Sequence, residues 1–187
     1  MNDENKIILD LAVSLDGFIE GPEGEIDWCI MESDMNFNHF LNQIDAIIYG
    51  RKSYDMWGTF QPHIDDESYG DQYMWNNLHS KKKYVFTHQQ FPDTFNTEFI
   101  QTSHIAESVK HIKATHQNDI WLYGGSNIIT SFIDNNLIDE YKLSVHPVVL
   151  GSGKPLFTNL NKRLNLSLLN THTYKSGVVQ LIYGKSK

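Results

Sequence analysis

Cysteine, basic charge and long apolar runs are all scarce in this chain of 187 residues. The single cysteine, Cys29, cannot form a disulfide within the chain, which disfavours a small secreted scaffold. No apolar run reaches the roughly 18 residues that a membrane helix needs, and the first ten residues lack the pattern of a signal peptide. We therefore expect a cytoplasmic protein that does not bind a membrane.

Basic residues are outnumbered, with 15 Lys and Arg against 23 Asp and Glu and a formal net charge of -8. Such a balance repels nucleic acid unless a local basic patch intervenes. The densest basic run, Lys81-Lys82-Lys83, leads directly into an apolar segment and is typical of the solvated approach to a strand. Nucleic acid is therefore not an expected partner.

Apolar segments of strand and helix length fill most of the chain, and the length fits one domain over residues 1–187. In the first two thirds, strands alternate with helices; in the last third, strands follow one another directly. This order predicts an α/β fold of three layers, with a mixed, mostly parallel sheet and antiparallel C-terminal strands. The predicted strands are 6–14, 46–49, 84–87, 99–100, 119–123, 141–150, 164–173 and 178–183. The predicted helices are 34–43, 105–115 and 126–136, with a short helix ending near Gly58 and a loop or partly helical excursion over 61–80.

Three of the predicted strands end in small, hydroxylated or cationic residues. Ligands bind beyond the carboxyl ends of parallel strands, where glycine lets the backbone approach a phosphate and helix N-termini favour an anion. Arg51 adds a planar set of donors for a terminal phosphate. The pattern indicates a site for a phosphate-rich cofactor. The residues are Gly50, Arg51, Lys52 and Ser53 after the second strand, Thr87 and His88 after the third, and Gly124, Gly125, Ser126 and Asn127 after the fifth.

Other motifs are weaker. The segment 151–155, Gly-Ser-Gly-Lys-Pro, lacks the Ser or Thr and the earlier glycine of a nucleotide-triphosphate loop, so a turn between strands is expected there. The nine histidines show no paired spacing for a metal, and we expect none. Asp34 either points into a cleft, beside Trp28, or simply favours a helix N-terminus.

Four segments, in this order, resemble the dihydrofolate reductase-like superfamily: LAVSLDGFIEG, IIYGRKSYD, WLYGGSNIITSFI and LSVHPVVLGSGKPLF. They are most similar to the reductase domain of the bifunctional riboflavin-biosynthesis deaminase/reductase, the RibD C-terminal domain, and to its stand-alone bacterial relatives. The resemblance spans roughly residues 6 to 183. It implies a central sheet flanked by helices and NADPH as the cofactor.

The resemblance also implies roles for individual residues. Ala12 would offer its backbone to the nicotinamide carboxamide, and Asp16 and Gly17 would turn the chain so that Ile19 covers the ring. The turn from Gly50 to Ser53 would bind phosphate, with Arg51, Thr87 and His88 near the adenosine 2′-phosphate, and Gly124 to Asn127 would hold the pyrophosphate. Asp34 falls where dihydrofolate reductases keep the acid that binds the pterin, and Trp28 lies near the position of their active-site tryptophan.

Two functions stay open at this point. The first is an NADPH-dependent reductase of a small heterocycle, whose substrate is either pterin-like or a ribosylamino-pyrimidine. The second is a non-catalytic nucleotide-binding or interaction module on the same fold. A homodimer is a further expectation, because Val145, Val148, Val149, Leu150 and Leu156 offer apolar surface around Pro147.

Overall fold

A computed structural model describes residues 5–60, 72–94 and 96–186. The strands are β1 (Ile7–Ser14), β2 (Phe18–Glu20), β3 (Ile44–Gly50), β4 (Lys82–Thr87), β5 (Thr97–Gln101), β6 (Asp119–Gly124), β7 (Glu140–His146), β8 (Lys154–Pro155), β9 (Leu166–Thr173) and β10 (Val179–Lys185). The helices are α1 (Phe37–Asn42), α2 (Arg51–Ser53), which runs into a π-helical turn at Tyr54–Gly58, α3 (Gln72–Ser80), α4 (Ile105–Thr115) and α5 (Ser126–Asp134).

Eight strands form one mixed sheet in the order β5-β4-β3-β6-β1-β7-β10-β9. The strands from β5 to β7 run parallel, whereas β10 pairs antiparallel with both β7 and β9. This confirms the predicted α/β fold with a mostly parallel sheet and an antiparallel C-terminal end. The strands β2 and β8 form a separate antiparallel pair, which we call the small sheet.

The helices cover both faces of the main sheet. On one face, α4 and α5 pack on alternate residues of the strands, with Leu9, Ile48 and Leu122 fully buried beneath them. On the other face, α1 and α3 pack on residues of the opposite parity, among them Ile47 and Trp121. Because successive side chains of a strand point to opposite faces, a central strand covered on both sides must be apolar throughout.

Two helix boundaries differ from the prediction. The helix expected over 34–43 begins only at Phe37, because Asn36 adopts a left-handed conformation with φ of 50° and breaks the helical backbone. Asp34 therefore lies in a 3-10 turn, Ser33–Met35, and not at a helix N-terminus. The helix expected over 126–136, α5, ends two residues early, at Asp134.

Pro147 explains a third difference, since the strand expected over 141–150 ends at His146, just before a residue that has no N–H to donate. Of the excursion expected over 61–80, residues 72–80 form α3, and residues 61–71 lie outside the described part of the chain. Among the described helices, none is long and apolar enough to cross a membrane.

Candidate functional site

A groove opens where the adjacent parallel strands β4, β3 and β6 end. It has a volume of about 550 Å³. Nine of the ten strand-end residues predicted to bind a phosphate-rich cofactor line it, and the tenth, Gly124, is buried directly beside it. The lining residues are Gly50, Arg51, Lys52, Ser53, Phe86, Thr87, His88, Gln89, Thr102, Ile105, Gly125, Ser126, Asn127, Ile128, Ser131 and Lys154.

Arg51 is fixed on one side of this groove. Its Nε donates to both carboxylate oxygens of Asp55, at 2.7 and 2.8 Å, and its guanidinium lies 3.8 Å from the centroid of the Phe91 ring. Its Nη1 is buried and has no hydrogen-bond partner in the described part of the chain. A guanidinium that is held by stacking and by one carboxylate, with a donor left over, is prepared to bind a further anion.

The turn from β6 into α5 forms the opposite wall. A Cβ built on Gly125 would lie 3.0 Å from Ser53 Oγ and 3.3 Å from Lys154 Nζ, so any side chain larger than hydrogen would fill this part of the groove. The first turn of α5 starts at Ser126, whose side chain is buried at 4% exposure. The helix N-terminus, a buried hydroxyl and a lysine therefore meet at the backbone of Gly125, where a larger residue would crowd Ser53 and Lys154.

The end of β4 completes the groove. Thr87 is buried, and its Oγ1 accepts a hydrogen bond from Gln89 N at 3.2 Å. His88 is exposed, and its Nδ1 lies 2.7 Å from Thr102 Oγ1. Both side chains face the same cavity as Arg51, as the sequence predicts.

Asp16 lies outside the groove and joins two loops. Its carboxylate accepts hydrogen bonds from Ser14 Oγ at 2.7 Å, Leu150 N at 3.1 Å and Gly151 N at 2.8 Å. The hydroxyl of Ser14, followed by the two amides, holds the pKa of Asp16 below its ordinary value. With φ of 87° at Gly17, the chain then turns back into β2, which carries Ile19.

The carboxyl ends of β1 and β7 open onto the other face of the sheet. Ala12 pairs in register with Ser144, and Ser14 with His146. Trp28 packs edge-to-face on the buried His146 ring, with centroids 5.4 Å apart, and Ile30 N donates to His146 Nδ1 at 3.2 Å. Burial lowers the pKa of His146. The indole Nε1 of Trp28 is buried, and none of the described residues accepts a hydrogen bond from it.

Two carboxylates lie near this region, and they differ in burial. Asp34 is exposed, whereas Asp10 is largely enclosed on β1, opposite Lys142 of β7. Burial raises the pKa of Asp10 to about 7, against the opposing effect of Lys142. Both carboxylates act on Tyr174, whose pKa is raised by burial first and then by Asp10 and Asp34. No described residue donates a hydrogen bond to the carboxyl oxygens of Asp10.

Asp10, His146, Phe91 and Lys154 were not identified as site residues from the sequence. Asp10 had a visible signal, since it is the one charge inside the apolar run of β1. The others had no local signal, because their positions depend on pairing between segments more than 100 residues apart, or on a ring that stacks on Arg51 from a distant loop.

A smaller hollow of about 290 Å³ lies between β5 and α4. Glu98 and Glu107 line it, and two carboxylates disfavour an anionic ligand. The groove at the strand ends is therefore the better candidate for binding a phosphorylated ligand.

The protein is similar to known proteins over nearly the whole length of both chains. The chain is 53% identical over 180 residues to the uncharacterized protein YyaP of Bacillus subtilis (strain 168), covering 96% of this chain and 95% of that protein. Among solved structures, a putative riboflavin biosynthesis protein from Shewanella sp. PV-4 matches with a TM-score of 0.79 and 22% identity, covering 97% of this chain and 99% of the other. Dihydrofolate reductase from Enterococcus faecalis, complexed with NADP(H), matches with a TM-score of 0.67 and 14% identity, covering 98% of each chain.

These two structural matches, at low identity, establish a shared fold, that of dihydrofolate reductase. The family assignment comes from the sequence, because the model of the RibD C-terminal domain matches residues 5–180, nearly the whole chain. The protein belongs to the RibD C-terminal domain family.

Proposed function

We propose that this protein is an NADPH-dependent reductase that transfers a hydride to a carbon–nitrogen or carbonyl double bond of a small heterocycle. The observation that carries the proposal is the groove, in which a fixed arginine with a buried, unused donor faces a glycine-lined helix N-terminus. The Enterococcus faecalis reductase of the same fold was solved with NADP(H). Members of the RibD C-terminal family are typically reductases of this kind.

The residues present fit a phosphorylated dinucleotide. The part of the groove lined by Gly125, Ser53 and the first turn of α5 suits a diphosphate, since backbone N–H groups and the helix dipole favour negative charge there. Arg51, with Thr87 and His88 on the neighbouring strand end, suits the additional 2′-phosphate of NADPH. We infer that Arg51 sets the preference for NADPH over NADH.

The nicotinamide ring would lie at the carboxyl end of β1, with the backbone of Ala12 on one side and Ile19 as an apolar wall. Bound there, the cofactor supplies the hydride. The substrate would then lie beside Trp28 and His146, whose rings pack edge-to-face. An aromatic and histidine lining of this kind suits a flat heterocycle.

Reduction of such a double bond also requires a proton for the nitrogen or oxygen atom. Asp10 is the better-placed donor of the two carboxylic acids, because it is enclosed and its pKa of about 7 leaves it partly protonated at neutral pH. It lies two residues before Ala12 on the same face of β1, about 7 Å along the strand. Asp34 is exposed, and we assign it to binding of the substrate.

The experiment is a spectrophotometric assay of NADPH oxidation, with dihydrofolate and a ribosylamino-pyrimidine as substrates. The pyrimidine is included because the Shewanella protein is a putative riboflavin biosynthesis protein. We expect turnover of one of the two, and loss of most of it in Asp34→Asn. If NADPH binds but neither these compounds nor a panel of carbonyl compounds is reduced, the chain is a nucleotide-binding module and not a reductase.

Arg51→Ala tests the cofactor assignment separately. We expect the dissociation constant of NADPH to rise about tenfold to a hundredfold while that of NADH changes less than threefold, since a charge-assisted contact to phosphate is lost. Isothermal titration calorimetry measures both constants. An unchanged preference for NADPH over NADH would contradict the assignment of Arg51 to the 2′-phosphate.

A further inference from the structure

The small sheet brings the segment Gly-Ser-Gly-Lys-Pro to the groove, although the segment is not a nucleotide-triphosphate loop. Gly153 has φ of 148°, and a Cβ on it would overlap the carbonyl oxygen of Glu20. Only glycine fits at this position, and its fit lets Lys154 pair with Glu20 in the small sheet. The backbone of the segment thus directs a lysine toward the start of α5, which lies on a different sheet.

Lys154 occupies a defined place in the groove. Its Nζ is 3.2 and 3.3 Å from the two carboxylate oxygens of Glu20, and it lies close to Gly125 in the lining of the groove. The two side chains are 34% and 24% exposed, so water screens the pair only in part. The lysine has three donors, and the carboxylate of Glu20 leaves at least one of them for another acceptor.

We propose that Lys154 binds the diphosphate bridge of the dinucleotide, and that Glu20 holds the lysine in place while its own charge lowers the affinity. This inference rests on the proposed function and assigns one more residue to the cofactor site. The helix N-terminus and Ser53 already favour an anion at the position that the lysine faces. The ammonium group of Lys154 adds positive charge to that position. The carboxylate of Glu20 is not part of the groove lining, but it lies 3.2 Å from the lysine nitrogen, so its charge opposes a diphosphate bound to that nitrogen.

The small sheet then links two parts of the proposed cofactor site, the nicotinamide and the diphosphate. Its strand β2 carries Ile19, the proposed wall of the nicotinamide, and its strand β8 carries Lys154. Because β2 and β8 are paired, the ring-binding and phosphate-binding parts of the proposed site share one small sheet.

The test is the binding of three probes, NADP+, NAD+ and adenosine 2′-monophosphate, measured by titration calorimetry. In Lys154→Met we expect the dissociation constants of NADP+ and NAD+ to rise by a similar factor, about tenfold, because both contain the diphosphate. The constant for adenosine 2′-monophosphate, which lacks the diphosphate, should stay within twofold. Arg51→Ala should produce the other pattern and weaken NADP+ and the monophosphate but not NAD+.

Three more variants complete the design. Lys154→Arg keeps the charge and should restore binding to within about threefold. Glu20→Gln keeps an acceptor for the lysine but removes the negative charge, and it should tighten NADP+ binding about twofold to fivefold. Lys6→Met is the matched control, because Lys6 forms a 3.0 Å ion pair with Glu140 at the N-terminal ends of β1 and β7, opposite the carboxyl ends where the groove opens, and its loss should change no constant.

The outcomes separate the inference from the function on which it rests. If the unaltered protein binds NADP+ and Lys154→Met binds it within twofold, with an unchanged melting temperature, the assignment of Lys154 is wrong and the cofactor site stands. If Glu20→Gln weakens binding, Glu20 does not oppose the diphosphate as proposed. If the unaltered protein binds neither dinucleotide, both the inference and the proposed function are overturned.

Discussion

Asp10 is a carboxylic acid enclosed on a strand whose neighbouring residues are apolar, and its protonation couples to the stability of the fold. Its pKa is raised from 3.8 to about 7 in the folded protein, mainly by burial. The folded state therefore binds a proton more tightly than the unfolded chain does. The contribution of Asp10 to stability therefore falls as pH rises from about 4 to about 7, and it is constant above that range.

Replacement of Asp10 by Asn should remove this contribution. Between pH 5 and 7, the unfolding free energy of the variant should rise relative to that of the unaltered protein. We expect a slope of about 1.4 kcal/mol per pH unit and a total relative gain of about 2 kcal/mol over this range. Urea unfolding at several pH values measures the difference. A gap between the two proteins that does not depend on pH would mean that Asp10 is ionised throughout the range.

At the scale of residues, the sequence predicts the lining of the groove better than it predicts the residues around His146, where the substrate is proposed to bind. Gly50, Arg51 and Gly125 each follow an apolar strand directly, so their place at the sheet edge follows from the local sequence and the rule for parallel strands. His146 and Lys154 have no such local signal. Their burial and contacts depend on which strands become neighbours, and that is a property of the whole chain.

At the scale of elements, the loop after β1 is tied to the loop after β7 by a backbone hydrogen bond and by the side chain of Asp16. Leu15 N donates to Val148 O at 2.8 Å, and Asp16 then accepts from two amides of the second loop. The Asp-Gly dipeptide predicts a turn from the sequence, but the partners of the carboxylate lie 134 and 135 residues away and could not be predicted.

Asp16→Ala should loosen these two loops without unfolding the sheet. We expect amide hydrogen exchange at Leu150 and Gly151 to become on the order of tenfold faster, because local opening no longer breaks two bonds to a carboxylate. Exchange measured by NMR reports each amide separately.

Asp45→Ala is the matched control for that experiment. Its carboxylate accepts from Gln117 N at 3.0 Å and Asn118 N at 2.8 Å, far from the 150–151 turn. It should speed exchange at those two amides alone. Equal protection of Leu150 in Asp16→Ala and in the unaltered protein would show that the carboxylate does not hold the loops together.

At the scale of the molecule, the main sheet ends at the edge strand β9, whose pairing with β10 has one register shift, next to Leu168. The strand β9, Leu-Ser-Leu-Leu-Asn-Thr-His-Thr, has no Asp, Glu, Lys or Arg and no proline, and Leu168 and Leu169 are 56% and 59% exposed. Edges of natural sheets usually carry such residues to prevent pairing with another chain. The apolar surface expected around Pro147 is smaller than the sequence suggests, since Leu156 is buried within the core.

We therefore predict a homodimer that pairs through β9, with the sheet continuing across a twofold axis. Analytical ultracentrifugation of the unaltered protein should give a dimer, and Leu168→Lys should give a monomer through charge placed on the edge. Val149→Lys, at the exposed residue near Pro147, is the comparison variant and should leave the dimer intact. A monomer in the unaltered protein at micromolar concentration would remove the prediction.

The half-buried indole of Trp28, whose Nε1 is enclosed, gives the protein an intrinsic optical reporter. Its N–H has no acceptor among the described residues, and its ring lies against His146. The fluorescence emission of Trp28 therefore depends on any ligand that binds beside these two rings. A carbonyl group that accepts from the indole, or a proton that arrives on the imidazole, shifts or quenches the fluorescence without any attached dye. With Trp57, Trp75 and Trp121 replaced by phenylalanine, the remaining signal belongs to this site alone, and rapid mixing can follow its occupation in real time.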